Sequence, residues 1–163
     1  MKKIKIQPTI IIDTREKNPF IFDEQKGTIE FDTLKTGDYS IKEMSSSSHH
    51  HSITIERKSL TDLFGSCGNG RVRFEKEFDR MSYFDHAELV IESDLRACFH
   101  APPPLSMMKS ISVYMTVLSW SQRYGVKVWW CTDRAFAENH TYLTLVKFWN
   151  DRQAGGKCEF NNI

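Results

Sequence analysis

The order of strand-like and helix-like segments predicts an α/β domain in which a mixed central β-sheet is flanked by helices. Short apolar runs rich in β-branched residues occupy the first third of the chain, and helical periodicity alternates with two further apolar strands after residue 71. The 163 residues, 40% of them hydrophobic, suffice for one core. We therefore expect one domain over residues 1–153 and a flexible tail over residues 154–163.

The first strand is predicted at residues 8–13, where a β-branched run ends in Asp13. Such a run is typical of a strand that is buried on both faces and delivers an acid at its C-terminal end. Residues 27–31 and 34–41 carry β-forming residues on either side of a short polar turn. We expect these two segments to pair with each other as a hairpin.

The serine- and histidine-rich segment 43–51 predicts a flexible hairpin tip, followed by another strand at residues 53–56. Its histidines His49, His50 and His51 could bind a transition metal. In a serine-rich loop, however, a solvated and mobile triplet is the better interpretation. We therefore leave these histidines out of the candidate site.

Three helices and two strands are predicted beyond the glycine-rich segment 65–70. The first helix begins at residue 71, the second runs over residues 105–123, and Asp133 caps the third. Both strands, at residues 87–92 and 126–131, are expected in the core. The expected buried stripes are Val72, Phe74, Phe78, Met81 and Phe84 in the first helix, Met108, Ile111, Met115 and Leu118 in the second, and Phe136, Leu143, Val146 and Trp149 in the third.

Charge and cysteine usage exclude several classes of protein. The formal net charge of +1 does not indicate a general polyanion binder, although basic residues cluster between positions 57 and 80. The four cysteines form no C-x-x-C pair and predict reduced thiols. The sequence shows neither a long apolar run nor a secretory signal, so we expect a soluble, non-secreted protein, cytoplasmic in a prokaryote or virus and nuclear in a eukaryote.

Three acids lie at the ends of predicted strands, namely Asp13, Asp38 and Glu56. Neighbouring strands of one sheet could bring these carboxylates together, where each would raise the pKa of the others. Hard oxygen ligands of this kind select a hard divalent cation, Mg²⁺ or Mn²⁺. The acids therefore predict a metal site.

Lys58 follows Glu56 by two residues, so both side chains are expected on the same face of their strand. Its ammonium could then reach a metal-activated water or a phosphate oxygen. A metal ion neutralises the charge that builds up during phosphodiester hydrolysis, and a lysine stabilises the same charge. Two acids and a lysine in this arrangement are typical of a phosphodiesterase.

The motifs around these residues resemble the XPF-type nuclease family. The similarity rests on Asp13-Thr14-Arg15-Glu16, Gly37-Asp38-Tyr39, and Glu56-Arg57-Lys58 followed after three residues by Asp62. It extends through Arg73-Phe74-x-x-Glu77 and Leu89-Val90-Ile91-Glu92, from residue 8 to about residue 149. The resemblance implies a restriction-endonuclease-like fold and makes residues 1–153 a nuclease domain.

The resemblance also implies roles for individual residues. Asp38 and Glu56 would be the principal metal ligands, Asp13 would complete the cluster, and Lys58 would handle the nucleophilic water. Arg57 is expected to offer its backbone carbonyl to the metal, while its side chain, with Arg15, meets phosphate or braces an acid. Asp62 is carried over as a catalytic residue, although an acid at a helix start explains it equally well.

Arg71 and Arg73 are candidate phosphate contacts, because a glycine-rich segment before a helix exposes backbone N–H groups that suit an anion. They could instead form the polar face of that helix. Trp129 and Trp130 could stack on bases, but core packing of at least one ring is the better interpretation.

The resemblance implies a Mg²⁺- or Mn²⁺-dependent endonuclease that cuts branched, flapped or forked DNA in repair, recombination or replication. In relatives a tandem helix-hairpin-helix domain supplies DNA contacts, and for this domain we expect a homodimer or a partner protein to supply them. Two alternatives are a catalytically inactive DNA-binding scaffold of the same fold and a general nuclease without branch specificity. The intact acids and lysine favour the active enzyme.

Overall fold

The computed structural model describes residues 7–23 and 27–153. The tail predicted for residues 154–163 lies outside the described residues. The strands are β1 (Thr9–Asp13), β2 (Thr28–Asp32), β3 (Tyr39–Ile41), β4 (Ile53–Lys58), β5 (His86–Ile91) and β6 (Lys127–Trp130). The helices are α1 (Leu60–Cys67), α2 (Arg71–Met81), α3 (Leu95–His100), α4 (Ser110–Tyr124) and α5 (Arg134–Gln153).

The six strands form one mixed sheet in the order β2-β1-β3-β4-β5-β6. All neighbouring pairs are parallel except the two made by β3, which runs antiparallel to both β1 and β4. The C-terminal ends of β1, β4 and β5 therefore meet the N-terminal end of β3 at one edge of the sheet. This topology places Asp13, Asp38 and the end of β4 at the same edge.

Two hydrophobic cores cover the two faces of the sheet. The first packs α1, α2 and α4 against β5, and its largest buried side chain is Trp120. The second packs α5 against the central strands through Leu145 and Phe148. Successive residues of β5 serve opposite cores, because Leu89 faces the first and Val90 the second. The predicted α/β class with a mixed, helix-flanked sheet is confirmed.

The hairpin predicted from residues 27–31 and 34–41 is wrong. Strand β2 pairs in parallel with β1, and only the last part of the second segment forms a strand, β3. The residues between them form a connecting loop that buries Leu34, which is 3% exposed. That loop crosses to the side of β1 opposite β2, and β3 then lies between β1 and β4. The hairpin that joins β3 to β4 through the polar segment 43–51 is present.

The buried faces of the helices differ from the predicted stripes. In α4, Ile111 and Met115 are each 52% exposed, while the buried residues are Val113, Thr116, Val117 and Trp120. In α5, Phe136 and Leu143 are 56% and 54% exposed, and the buried residues are Ala137, Thr141, Leu145 and Phe148. Val72 of α2 is also exposed. These helices carry apolar residues on more than one face, so the apolar pattern alone does not select the buried one.

Helices α1 and α3 were not predicted. Helix α1 includes Gly65, Ser66 and Cys67, the first half of the glycine-rich segment, and Ser59 caps its start. Strand β6 is the outermost strand on one side of the sheet. It exposes Lys127 and Trp129, whereas Trp130 packs against the first core. The predicted cap of α5 is confirmed, since Phe136 N–H donates to Asp133 Oδ1 at 2.8 Å. Among the described helices, none combines the length and apolarity that a membrane span requires.

Candidate active site

Backbone hydrogen bonds join the three strand ends that carry the predicted acids. The Asp13 amide donates to the Asp38 carbonyl at 2.9 Å, and the Asp38 amide donates to the Ile55 carbonyl at 2.8 Å. The Arg57 amide donates to the Asp38 carboxylate oxygen Oδ2, also at 2.8 Å. Asp38 is therefore fixed between β1 and β4, one residue before β3 begins. The segments carrying Asp13, Asp38 and Glu56 are adjacent in space.

Asp38 and Glu56 form an acidic pair, in which Glu56 is buried and Asp38 is half-buried. Burial, followed by the neighbouring Glu56 charge, raises the pKa of Asp38 to about 8. Burial also raises the pKa of Glu56, which is 7% exposed, and the Lys58 charge only partly offsets that effect. Burial disfavours the charged form of both carboxylates, and a cation bound between them would favour it. The pair can accept a cation.

Lys58 lies on the same face of β4 as Glu56. Its Nζ is 2.5 Å from Glu56 Oε1 and lies 5.1 Å from the centre of the Phe74 ring. Burial lowers the pKa of Lys58, but the Glu56 charge and hydrogen bond outweigh burial, so the pKa is raised. The ammonium therefore stays protonated beside the acids, where it can donate to water or phosphate.

Arg57 points to the opposite face of β4. Its Nε and Nη2 donate to the two carboxylate oxygens of Glu92, both at 2.7 Å, and its Nη1 lies 3.3 Å from Glu16 Oε1. Arg57 and Glu92 are both about 8% exposed, and Arg134 donates to the same Glu92 at 2.7 Å. Of the two roles considered for the Arg57 side chain, the structure shows the bracing of acids.

Asp13 is held by Arg15 in a different way from the other acids. Its Oδ1 accepts from the Arg15 amide at 2.6 Å and from Arg15 Nε at 2.9 Å, and its Oδ2 accepts from Arg15 Nη2 at 2.6 Å and from the Leu34 amide at 3.1 Å. Burial raises the pKa of Asp13, but the Arg15 contacts outweigh it and the pKa is lowered. Asp13 is thus already neutralised, in contrast to Asp38.

Two adjoining pockets open on this edge of the sheet. The first, about 390 Å³, is lined by the four acids Asp13, Asp38, Glu56 and Glu77 and by the five basic residues Arg15, Lys35, Lys58, Arg73 and Arg80. The second, about 560 Å³, shares Arg15, Asp38, Lys58 and Arg73 with the first and adds Asp62 and the 16–18 loop. Acids at the base with cations around them suit a phosphodiester that is positioned by its charge.

Comparison with known proteins shows the family of the chain. The model of the ERCC4 domain family matches residues 12–143 of the chain. The chain belongs to the ERCC4 domain family. It is 30% identical over 109 residues to the DNA repair endonuclease XPF of Cricetulus griseus. That alignment covers 65% of this chain and spans 11% of the length of the relative.

Two solved structures of XPF from Aeropyrum pernix share the fold of this ERCC4 domain. The first superposes with a TM-score of 0.66 at 18% identity and covers 91% of this chain and 68% of that one. The second, a complex with DNA, superposes with a TM-score of 0.59 at 18% identity and covers 96% and 69%. The ERCC4 domain described here therefore has the restriction-endonuclease-like fold.

The remaining predicted site residues lie at different distances from the pockets of the ERCC4 domain. Asp62 lines the second pocket, but it also serves the start of α1, where it accepts from Ser59 Oγ at 2.7 Å. Arg73 is exposed and lines both pockets. Arg71 lines neither and is bound to α4, with Nη1 2.6 Å from Thr116 Oγ1 and its guanidinium 5.0 Å from the Trp120 ring. Its contact with DNA stays a prediction.

Glu77 is a pocket residue that sequence reasoning did not select as functional. It lies on α2, one helical turn after Arg73, and its Oε1 accepts from the Gly37 amide at 2.9 Å. The sequence does place it within the motif Arg73-Phe74-x-x-Glu77. A charged residue on a charged helix carries no further signal that it faces a pocket. The histidines His49, His50 and His51 line neither pocket.

The donors at this edge fit a hard divalent cation. Over residues 7–23 and 27–153, no three His, Cys, Asp or Glu side chains are already arranged around one ion position. Asp38 and Glu56 supply two carboxylates in one pocket, and burial raises the pKa of both. They are the residues that would hold Mg²⁺ or Mn²⁺, with water completing the coordination. The Arg57 carbonyl ligand stays a prediction.

Proposed function

We propose that this ERCC4 domain is a Mg²⁺- or Mn²⁺-dependent endonuclease that hydrolyses phosphodiester bonds in branched, flapped or forked DNA during repair, recombination or replication. The observation that carries the proposal is the convergence of Asp38, Glu56 and Lys58 in a pocket rimmed by cations. The relative named DNA repair endonuclease XPF and the related structure solved with DNA support the same class of activity and substrate.

Each side chain of the pocket has a distinct part in the proposed reaction. A divalent ion, when bound by Asp38 and Glu56, acidifies water and offsets the charge that develops on the phosphate. Lys58 donates from its ammonium to the attacking water or to a phosphate oxygen. Arg15 and Arg73 lie where both pockets meet and hold the DNA backbone across the site.

DNA affinity in this proposal comes from phosphate contacts and falls as salt rises. The formal net charge of the chain is only +1. We therefore also propose that a second copy of the chain or a partner protein supplies further DNA contacts. Light scattering with and without DNA measures the first of these two possibilities.

Cleavage assays on flap, fork and linear duplex DNA test the proposal. We expect cutting near the junction with Mg²⁺ or Mn²⁺ and none with chelator. Asp38→Asn should lose Mn²⁺ binding, measured by calorimetry, together with cleavage. Lys58→Ala should lose turnover by about a hundredfold and keep Mn²⁺ binding.

Lys42→Ala is the matched control, because Lys42 pairs with Glu30 at 2.8 Å on the surface as Lys58 pairs with Glu56 in the pocket. It should cleave at the parent rate. Absence of cleavage with every metal would favour the inactive scaffold. Equal rates on linear duplex and branched DNA would favour a general nuclease.

A further inference from the structure

Helix α2 contacts the turn that carries Asp38 through the carboxylate of Glu77. Glu77 Oε1 accepts from the Gly37 amide at 2.9 Å, and Gly37 directly precedes Asp38. The other oxygen, Oε2, accepts from Arg80 one turn further along the helix. The Glu77 side chain is only 16% exposed. Its carboxylate thus lies at the pocket wall, where it spans from the helix to the sheet edge.

The Gly37 turn is held closely from the side of β4. Thr54 Oγ1 donates to the Thr36 carbonyl at 2.9 Å, and the Asp38 amide donates to the Ile55 carbonyl at 2.8 Å. Gly37 itself has φ +74°, and a Cβ at this position would lie 2.1 Å from Thr54 Oγ1. The peptide between Thr36 and Gly37 is thereby held at its carbonyl by Thr54, and its N–H, which is the Gly37 amide, points to Glu77 on α2.

Glu77 supplies the hydrogen bond to this amide, and it is a strong one because the acceptor is charged. Asp38 Oδ2 is fixed by the Arg57 amide, so the turn and the carboxylate are positioned from opposite sides. A shift of about 1 Å in a reacting group can cost up to a hundredfold in rate. Because Gly37 directly precedes Asp38, loss of the bond from Glu77 would release the turn on the side that faces α2.

We propose that Glu77 is a positioning residue, which fixes the Gly37 turn from α2 and thereby sets the direction of the Asp38 carboxylate. The inference rests on the proposed function, in which Asp38 is an acid of the active site. The alternative hypothesis is that Glu77 is a surface residue that only pairs with Arg80. Under that hypothesis, loss of Glu77 changes neither the exchange rate of the Gly37 amide nor the turnover of DNA.

Glu77→Ala and Glu77→Gln separate the two readings. In Glu77→Ala the Gly37 amide should exchange with solvent at least about tenfold faster by NMR, since its acceptor is gone. The kcat for flap DNA should fall about tenfold while KM changes less than twofold. Glu77→Gln should recover most of both losses, because the glutamine Oε1 can still accept from Gly37.

Glu75→Ala is the matched control on the same helix. The Glu75 carboxylate binds Arg123 at 2.8 Å and the Tyr124 hydroxyl at 3.2 Å, and it does not line either pocket. This variant should leave Gly37 exchange and kcat unchanged. Circular dichroism verifies that all three variants are folded.

The inference is overturned if Gly37 exchange is the same in Glu77→Ala and the parent, or if exchange rises while kcat stays constant. It is also overturned if Glu77→Gln protects the amide yet turns over as slowly as Glu77→Ala. If the parent itself cuts no DNA, the proposed function fails separately. The inference is then decided by the Gly37 exchange rates and by the Asp38 carboxyl ¹³C shift in Glu77→Ala, where an unchanged pair of values rejects it.

Discussion

Glu88 offers a test of how a buried charge joins α5 to the sheet. It lies on β5, is 2% exposed, and accepts hydrogen bonds at both oxygens: its Oε1 is 2.7 Å from His86 Nε2, and its Oε2 is 3.0 Å from His140 Nε2 on α5. Burial raises the pKa of Glu88, but the hydrogen bonds from His140 and His86 outweigh it and lower the pKa to about 2.

The size of the effect follows from that shift. The pKa of Glu88 falls from its ordinary 4.5 to about 2 on folding. At about 1.4 kcal/mol for each pKa unit, the charged form stabilises the fold by roughly 3 kcal/mol. Because the folded pKa is the lower one, this stability is fully present above pH 4.5 and is lost as the pH falls towards 2. Glu88→Gln removes the charge and should cost about 3 kcal/mol at pH 7.

Urea unfolding followed by circular dichroism at pH 7, 5, 4 and 3 measures the difference between Glu88→Gln and the parent. The difference should shrink as the pH falls from about 4.5 towards 2. The matched control is Glu30→Gln, since Glu30 pairs with Lys42 on the surface and its side chain is 41% exposed. Its cost should stay under about 1 kcal/mol. A loss in Glu88→Gln that does not vary with pH would refute the electrostatic account.

Three further predictions follow from side chains near the pockets. Gly37→Ala should lower the free energy of unfolding in urea by at least about 2 kcal/mol. The alanine Cβ would lie 2.1 Å from Thr54 Oγ1, and the backbone at this position is left-handed. An unchanged free energy of unfolding would contradict this prediction. Asp62→Ala should cost about 0.5–1 kcal/mol and leave kcat unchanged, since Asp62 contacts the cap of α1; a tenfold loss of kcat at constant stability would make it catalytic. Arg73→Gln should weaken DNA binding, measured by fluorescence anisotropy, and should reduce the dependence of log affinity on log salt concentration by about one. Arg71→Gln should mainly reduce stability, because α4 holds the Arg71 guanidinium. An equal salt dependence in the two variants would contradict the assignment of Arg73 alone to a phosphate contact.

The positions of the acids could be predicted because they depend on features that the sequence itself shows. A β-branched run fixes where a strand ends, and parallel strands bring their C-terminal ends to one edge. Asp13 and Glu56 both end up at that edge. The period of two along β4 likewise places Lys58 beside Glu56 and sends Arg57 to the other face.

Strand partners and buried helix faces could not be predicted in the same way. Strand β2 has only five residues of mixed polarity, and nothing in them distinguishes pairing with β1 from pairing with β3. In α4, Ile111 and Met115 form an apolar pair at helical spacing, and so do Val113 and Val117. The fold buries the second pair because α4 packs on α1 and α2 from that side, which is a tertiary choice.

Asp13 lies where the sequence predicts it, whereas its predicted role in completing the metal cluster stays a prediction. The sequence places it with Asp38 and Glu56, and its backbone does join Asp38. The chain turns immediately after β1, however, and returns the Arg15 guanidinium and amide to the Asp13 carboxylate. As a result the pKa of Asp13 is lowered while that of Asp38 is raised, although both are aspartates at one edge. Since Arg15 already binds both oxygens of Asp13, we propose that Asp38 and Glu56 bind the metal and that Asp13 holds Arg15 where the two pockets meet.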